Sequence, residues 1–178
     1  MRLYQPFIAL LFISFSFACS AQTSSSLSID TIGIHAYFEK HTINLDKVEN
    51  INLYYAIYKW RNTPYVLGGN SEKGIDCSNL VKRIYEDAYQ SNLDGNVNSL
   101  FPKCNVLAAK DMAAEGDLVF FKINKNTPSH VAIYLQHGVF AHATVHGGVM
   151  LNNVEDNYYA RYFYQAARPT ADIFFSEK

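Results

Sequence analysis

A cysteine at position 77 and histidines at positions 130 and 142 are the residues of this chain whose types could together attack a carbonyl. Cysteine-based acyl chemistry needs a thiolate nucleophile, a base that takes its proton and later protonates the leaving amine, and a group that orients that base. Cys77 fits the first role. His130, at the head of an apolar run, fits the second, and His142, on the next run, the third. Duller roles stand beside these. A lone cysteine at the start of an amphipathic helix is often packing, and Cys77, His130 and His142 could instead hold zinc with water in the fourth position. The expectation is a nucleophile with no metal and no other cofactor. His35, His41, His137 and His146 lack comparable surroundings in sequence and are read as surface or loop residues.

The element that must present the thiol is a helix over residues 77–90. Cys77, Leu80, Val81, Ile84, Tyr85 and Ala88 fall at helical spacing, and Asp76 before them is a good N-cap residue. The helix therefore begins at the sulfur. There the positive end of the helix dipole and unpaired backbone N–H groups favour the thiolate, so a lowered thiol pKa is expected. Gly68, Gly69 and Gly74 let the approaching chain turn sharply and leave the sulfur facing a cleft. Ahead of them, Val48, Ile51, Tyr54, Tyr55 and Tyr58 mark a helical stripe within residues 46–59, and a shorter helix is expected at 34–39.

Residues 91–112 are polar, with Asn92, Asp94, Gly95, Asn96 and Asn98 close together, and read as a long surface loop. Short β runs follow at 117–122, 130–135, 139–144, 149–154 and 162–167. Helices first and an antiparallel sheet afterwards make an α+β domain with the helices on one side. The two histidine-bearing runs should be joined by a three-residue hairpin loop, Gln136-His137-Gly138, with Gly138 at positive φ. Pairing Leu135 with Val139 then sets Ala132 opposite His142 and His130 opposite Thr144. That register puts both histidines on one face as diagonal neighbours, whereas a two-residue loop would separate them.

The runs W-R-N-T-P-Y-V-L-G-G, G-I-D-C-S, G-D-L-V-F-F, S-H-V-A-I-Y-L and F-A-H-A, in that order across residues 54–168, resemble the NlpC-type cell-wall peptidases. These are papain-like cysteine enzymes that cut peptidoglycan stem peptides. The resemblance implies a papain-like α+β fold with N-terminal helices on a central antiparallel sheet, and the triad Cys77, His130 and His142. It implies that the Tyr65 hydroxyl reaches the active site and that Asp76 and Ser78, flanking the nucleophile, help bind the stem peptide. Their plain alternatives are a core tyrosine, an N-cap and a helix-start residue. Asn79 stands where the family commonly has glycine after D-C-S, and the proline-arginine element that members often carry within 91–112 is missing. The implied bond is the γ-D-glutamyl link to the diamino acid. A catalytically silent wall-binding module, or an acyltransferase or amidase on the same fold, are the alternatives.

A chain of 178 residues suits one domain, and 15 basic against 16 acidic side chains give no reason to expect a nucleic-acid partner. With 49% hydrophobic residues, wholesale disorder is excluded. The apolar stretch 7–18 after Arg2 is too short to span a bilayer but suits a signal-peptide core. The expected organisation is a signal peptide at 1–18, a tether and N-terminal extension at 19–50, a peptidase domain at 51–170 and a tail at 171–178, exported and monomeric. The end Phe17-Ala18-Cys19-Ser20 resembles a bacterial lipoprotein processing site, with Cys19 as the lipidated residue and a membrane-anchored protein as the result; ordinary cleavage near Ser20 or Ala21 is the alternative. Cys77 and Cys104 then remain. On the enzyme reading Cys104 is a plain buried or loop cysteine, and the alternative is a Cys77–Cys104 disulfide.

Overall fold

The thiol helix is the pivot of the architecture. A computed structural model describes residues 30–123 and 126–170. The expected signal peptide, Cys19 and the rest of the 19–50 segment up to residue 29, and the C-terminal tail, lie outside the described residues. Among the described residues three α-helices come first: α1 (Thr31–Glu39), α2 (Ile51–Trp60), and, after a short hairpin of β1 (Asn70–Ser71) and β2 (Gly74–Ile75), α3 (Cys77–Tyr89). α3 begins at the sulfur because Asp76 is its N-cap, accepting from the Asn79 N–H at 2.7 Å. It ends where Gln90 turns left-handed at φ 53°. Its buried side carries Cys77, Ser78, Leu80, Val81, Ile84 and Tyr85.

α2 departs from the expected stripe. It starts at Ile51 behind an Asn50 cap, and its fully buried residues are Leu53, Tyr54, Ala56, Ile57 and Trp60. Tyr55 and Tyr58 are only half-buried, because a tyrosine can pack its ring and still turn its hydroxyl outward, as Tyr58 does toward Asp30. Residues 91–112 are also not a plain surface loop. Asn96 and Ser99 close a capping box around α4 (Val97–Leu100), and β3 (Cys104–Val106) pairs with the last strand. Leu93, Val97, Leu100 and Cys104 are buried there, so four spaced apolar side chains outweighed a polar composition.

The sheet is six-stranded and antiparallel throughout, in the order β3-β8-β4-β5-β6-β7. β4 is Leu118–Phe121, β5 His130–Tyr134, β6 Val139–Thr144, β7 Gly148–Asn153 and β8 Phe163–Pro169. One face packs on α1–α3 through Leu118, Phe120, Val131, Ile133, Ala141 and Ala143. The other face is covered as well. Val119, Phe121, Ala132, Phe140, Val154 and Ala166 cluster there beneath Tyr159 and Tyr162 of α5 (Asn157–Tyr162), a helix the strand pattern at 162–167 does not reveal.

Candidate active site

The hairpin between β5 and β6 has the expected register, with Ile133 opposite Ala141 and Tyr134 opposite Phe140. Leu135 and Val139 close it through a 2.8 Å bond from the Leu135 N–H to the Val139 carbonyl. Both His137 (φ 54°) and Gly138 (φ 78°) are left-handed, one residue more than expected, because the turn from Gln136 to Val139 needs positive φ at both central positions. With this register His130 and His142 project from the same face. Their rings meet edge to face at 5.0 Å, and Nε2 of His130 lies 2.8 Å from Nδ1 of His142. That face is the one carrying Phe121, Phe140 and Tyr159, opposite to α3.

The thiol approaches from the helical side at the end of the sheet. His130 is the first residue of β5, and the backbone N–H of the next residue, Val131, is among the groups that favour the Cys77 thiolate. Tyr65 joins the two sides. It and Leu67 and Ser129 line both a cavity of about 220 Å³ that contains Asp76, Cys77 and Ser78 and one of about 300 Å³ that contains His130 and His142. Asn96, Val97 and Asn98 wall the thiol side, so part of the segment read as surface loop borders the nucleophile. Exposed His146 stands on the rim of the imidazole side.

Local structure explains how the approach to Cys77 is held. Asp76 accepts from the Asn79 N–H and the Ser78 hydroxyl on Oδ1 and from the Gly68 N–H, at 3.0 Å, on Oδ2. Its carboxylate is thus largely used in joining the glycine turn to the helix start. Asn79, in the place where glycine is common, adds a second tie: its side-chain amide donates to the Gly69 carbonyl at 2.9 Å. Gly68 has φ 72°, a conformation that a side chain would strain.

The electrostatics differ from the sequence expectation. Burial pushes the Cys77 thiol up, the Asp76 carboxylate adds to the rise, and the N–H groups of Val131, Ser78 and Cys77 pull only partly against it. Cys77 is 7% exposed, and a sulfur so far from water loses more from desolvation than the helix start returns. Burial likewise holds His130 well below the usual histidine value, with His142 beside it lowering it further. His142 is also held down by burial, while Asn152 opposes the shift. The Tyr65 phenol is raised by burial and by the negative charge that Cys77 and Asp76 would carry. Burial thus disfavours the charged form of the thiol and of both imidazoles.

The sequence reading missed the partners of His142. Its Nε2 lies 2.9 Å from Oδ1 of Asn152 and 3.3 Å from the Tyr159 hydroxyl. Asn152 had a legible signal: with His142 opposite Met150 on β7, Asn152 is the next residue on that face. Tyr159 had none. Both nitrogens of His142 are engaged within the chain, and among the described residues no group of three or more His, Cys, Asp or Glu converges as metal ligands would. His142 and His146 do stand at H-x-x-x-H spacing, but across a strand and the turn after it rather than along a helix. Cys77 and Cys104 are both free, so the alternative disulfide is not formed; the Cys104 sulfur lies 3.3 Å from the Leu100 carbonyl, and burial pushes its thiol up to about 12.

Comparison with known proteins places this arrangement. A probable endopeptidase of Haemophilus influenzae is 29% identical over 176 residues, 94% of this chain and 99% of that protein. The Escherichia coli protein called murein DD-endopeptidase MepS/murein LD-carboxypeptidase is 30% identical over 131 residues, 74% of this chain and 68% of that one. Among solved structures, a Staphylococcus aureus protein described as similar to lipoprotein, NLP/P60 family, superposes with a TM-score of 0.60 at 27% identity, over 66% of this chain and 40% of that one. This chain thus spans less than half the length of that structure. The sequence profile of the NlpC/P60 family matches residues 62–168, the stretch that contains the glycine turn, the thiol helix and both histidine strands, and the chain belongs to the NlpC/P60 family.

Proposed function

We propose that this protein is an exported cysteine peptidase that hydrolyses amide bonds in the peptide part of peptidoglycan, through an acyl-enzyme on Cys77. The observation that carries the reading is the contact between His130 Nε2 and His142 Nδ1 in a cavity that shares Tyr65, Leu67 and Ser129 with the cavity holding Cys77. His130 takes the thiol proton as sulfur attacks the scissile carbonyl, then returns it to the leaving amine. His142 orients His130. The backbone N–H of Cys77, at the head of α3, serves as an oxyanion donor. Tyr65, Asp76 and Ser78 border the acyl side of the cleft, with Tyr65 and Ser78 offering hydroxyls to the stem peptide. The name of the Haemophilus relative supports an endopeptidase, and that of the Escherichia relative, a murein endopeptidase, supports peptidoglycan as the substrate.

The bond expected from the resemblance is γ-D-glutamyl to diamino acid. A second bond, the D,D cross-link, is favoured by the name of the Escherichia relative. Digestion of defined monomeric and cross-linked muropeptides, followed by mass spectrometry, separates them: cleavage within monomers supports the first and conversion of dimers to monomers the second. Cys77→Ala should abolish either product and leave the fold intact, since removing one sulfur from a cleft wall costs less than the roughly 2 to 5 kcal/mol of truncating a large core side chain. Unchanged product in that variant would sink the reading. Lipidation of Cys19 and anchoring at a membrane belong to the same proposal. An unlipidated mature chain beginning near Ala21, seen by mass spectrometry, would refute that part.

A further inference from the structure

A histidine in the orienting position raises a problem of polarity. When Cys77 passes its proton to Nδ1 of His130, the imidazolium that forms still carries N–H on Nε2 and needs an acceptor there. An amide or carboxylate oxygen accepts unconditionally. A neutral histidine accepts through Nδ1 only if its own proton is on Nε2, and an isolated imidazole has no strong reason to keep it there. The opposite arrangement, with the His142 proton on Nδ1, would turn its partner nitrogen on His130 into the acceptor and leave a proton on the His130 nitrogen that must act as base.

We propose that Asn152 is a positioning residue that fixes this polarity, its Oδ1 accepting from Nε2–H of His142 so that His142 Nδ1 accepts from His130 and His130 Nδ1 is left bare for the thiol. The inference rests on the hydrolase reading above for its catalytic meaning, but not for its geometry. His142 is 1% exposed, and of the two groups at its Nε2 the Asn152 oxygen at 2.9 Å is nearer than the Tyr159 hydroxyl at 3.3 Å. The antiparallel register of β6 and β7 holds Asn152 in place, setting His142 opposite Met150 and Phe140 opposite Asn152. The rings of Phe140 and Tyr159, both about perpendicular to that of His142 at 72° and 84°, prevent it from rotating to present its nitrogens differently. The proton count closes: one proton moves from Cys77 Sγ to His130 Nδ1, and those on His130 Nε2 and His142 Nε2 remain on their atoms.

The test is nitrogen NMR of histidine-labelled protein, joined to pH–rate profiles on whatever muropeptide is cut, or to iodoacetamide alkylation of Cys77 if none is. The proposal expects His130 and His142 both protonated on Nε2 in the parent. Asn152→Leu should abolish the His142 preference and lower kcat/KM or the alkylation rate roughly 10- to 100-fold. Asn152→Asp keeps an acceptor and adds charge that favours the imidazolium, so it should retain more activity than the leucine variant and move the acid limb of its profile to higher pH. A purely structural role would lower activity without moving that limb. Protonation of His142 on Nδ1 in the parent would overturn the proposal, as would an Asn152→Leu protein with parental tautomers and profile. If the leucine variant does not fold, the parent spectra and the aspartate profile still decide. Correct tautomers in a protein that cuts no muropeptide would instead remove the hydrolase reading and leave the role of Asn152 standing.

Discussion

Cys77 and its histidines are deeply buried for groups expected to exchange protons, and this governs how the site should respond to pH. The thiol is raised and both imidazoles are lowered, so burial works against a resting thiolate–imidazolium pair. Alkylation of Cys77 by iodoacetamide should therefore be slow at neutral pH and climb into the alkaline range; fast alkylation with a plateau in the acid range would mean a resting ion pair instead. The histidines also bear on stability. Their folded values are depressed, so the stability they contribute is complete above the unfolded value of about 6.5. It is lost as pH falls, because the unfolded chain takes up protons that the folded chain excludes. The window runs from there down to about 3 for His130 and about 4 for His142. The loss cannot exceed about 1.4 kcal/mol per pH unit for each histidine. Urea midpoints should fall between neutral pH and about pH 5, and His142→Gln, which removes one titrating group, should flatten the fall.

Between elements, the tie that matters to the cleft joins the loop carrying Tyr65 to the start of β7. The Thr63 carbonyl accepts from the Val149 N–H, and the Asn62 N–H donates to the Val149 carbonyl, both at 2.9 Å. Gly148 permits that approach: its φ is 70°, and a Cβ built on it would lie 2.2 Å from the Thr63 carbonyl oxygen, which is backbone and cannot rotate aside. Gly148→Ala should cost at least about 1 to 2 kcal/mol for the left-handed conformation alone and displace Tyr65. The expected result is a lower melting temperature with KM raised more than kcat is lowered; parental kinetics would show that Tyr65 does not depend on this contact. The glycine turn, the cap on α3 and the three-residue hairpin were all legible in sequence, because each is set by residues a few positions apart. α5 and the folded segment around Leu93, Val97 and Leu100 were not. Their short apolar spacings form elements only where the sheet offers something to pack against.

Across the whole molecule, Asp117 ties the two central strands' ends to the last strand. It is 3% exposed, accepts from the Ala114 N–H, and pairs through both oxygens with the Arg168 guanidinium at 2.8 Å. Arg168 is half-exposed and can return to water, so Asp117→Ala should cost about 1 to 3 kcal/mol, mainly in buried hydrogen bonds. A urea midpoint lowered with unchanged slope checks this; an unaltered midpoint would refute it. By itself the sequence determined that a thiol begins a capped helix and that His130 and His142 share a face of one hairpin, because capping and hairpin register are local and the loop length fixes the pairing. Only the tertiary structure decided which face that is, that Asn152 and Tyr159 close on His142 from β7 and α5, and that the thiol is raised rather than lowered. Those outcomes depend on how much water is excluded around Cys77 and on contacts between strands and helices far apart in the chain, neither of which has a period or a spacing to read.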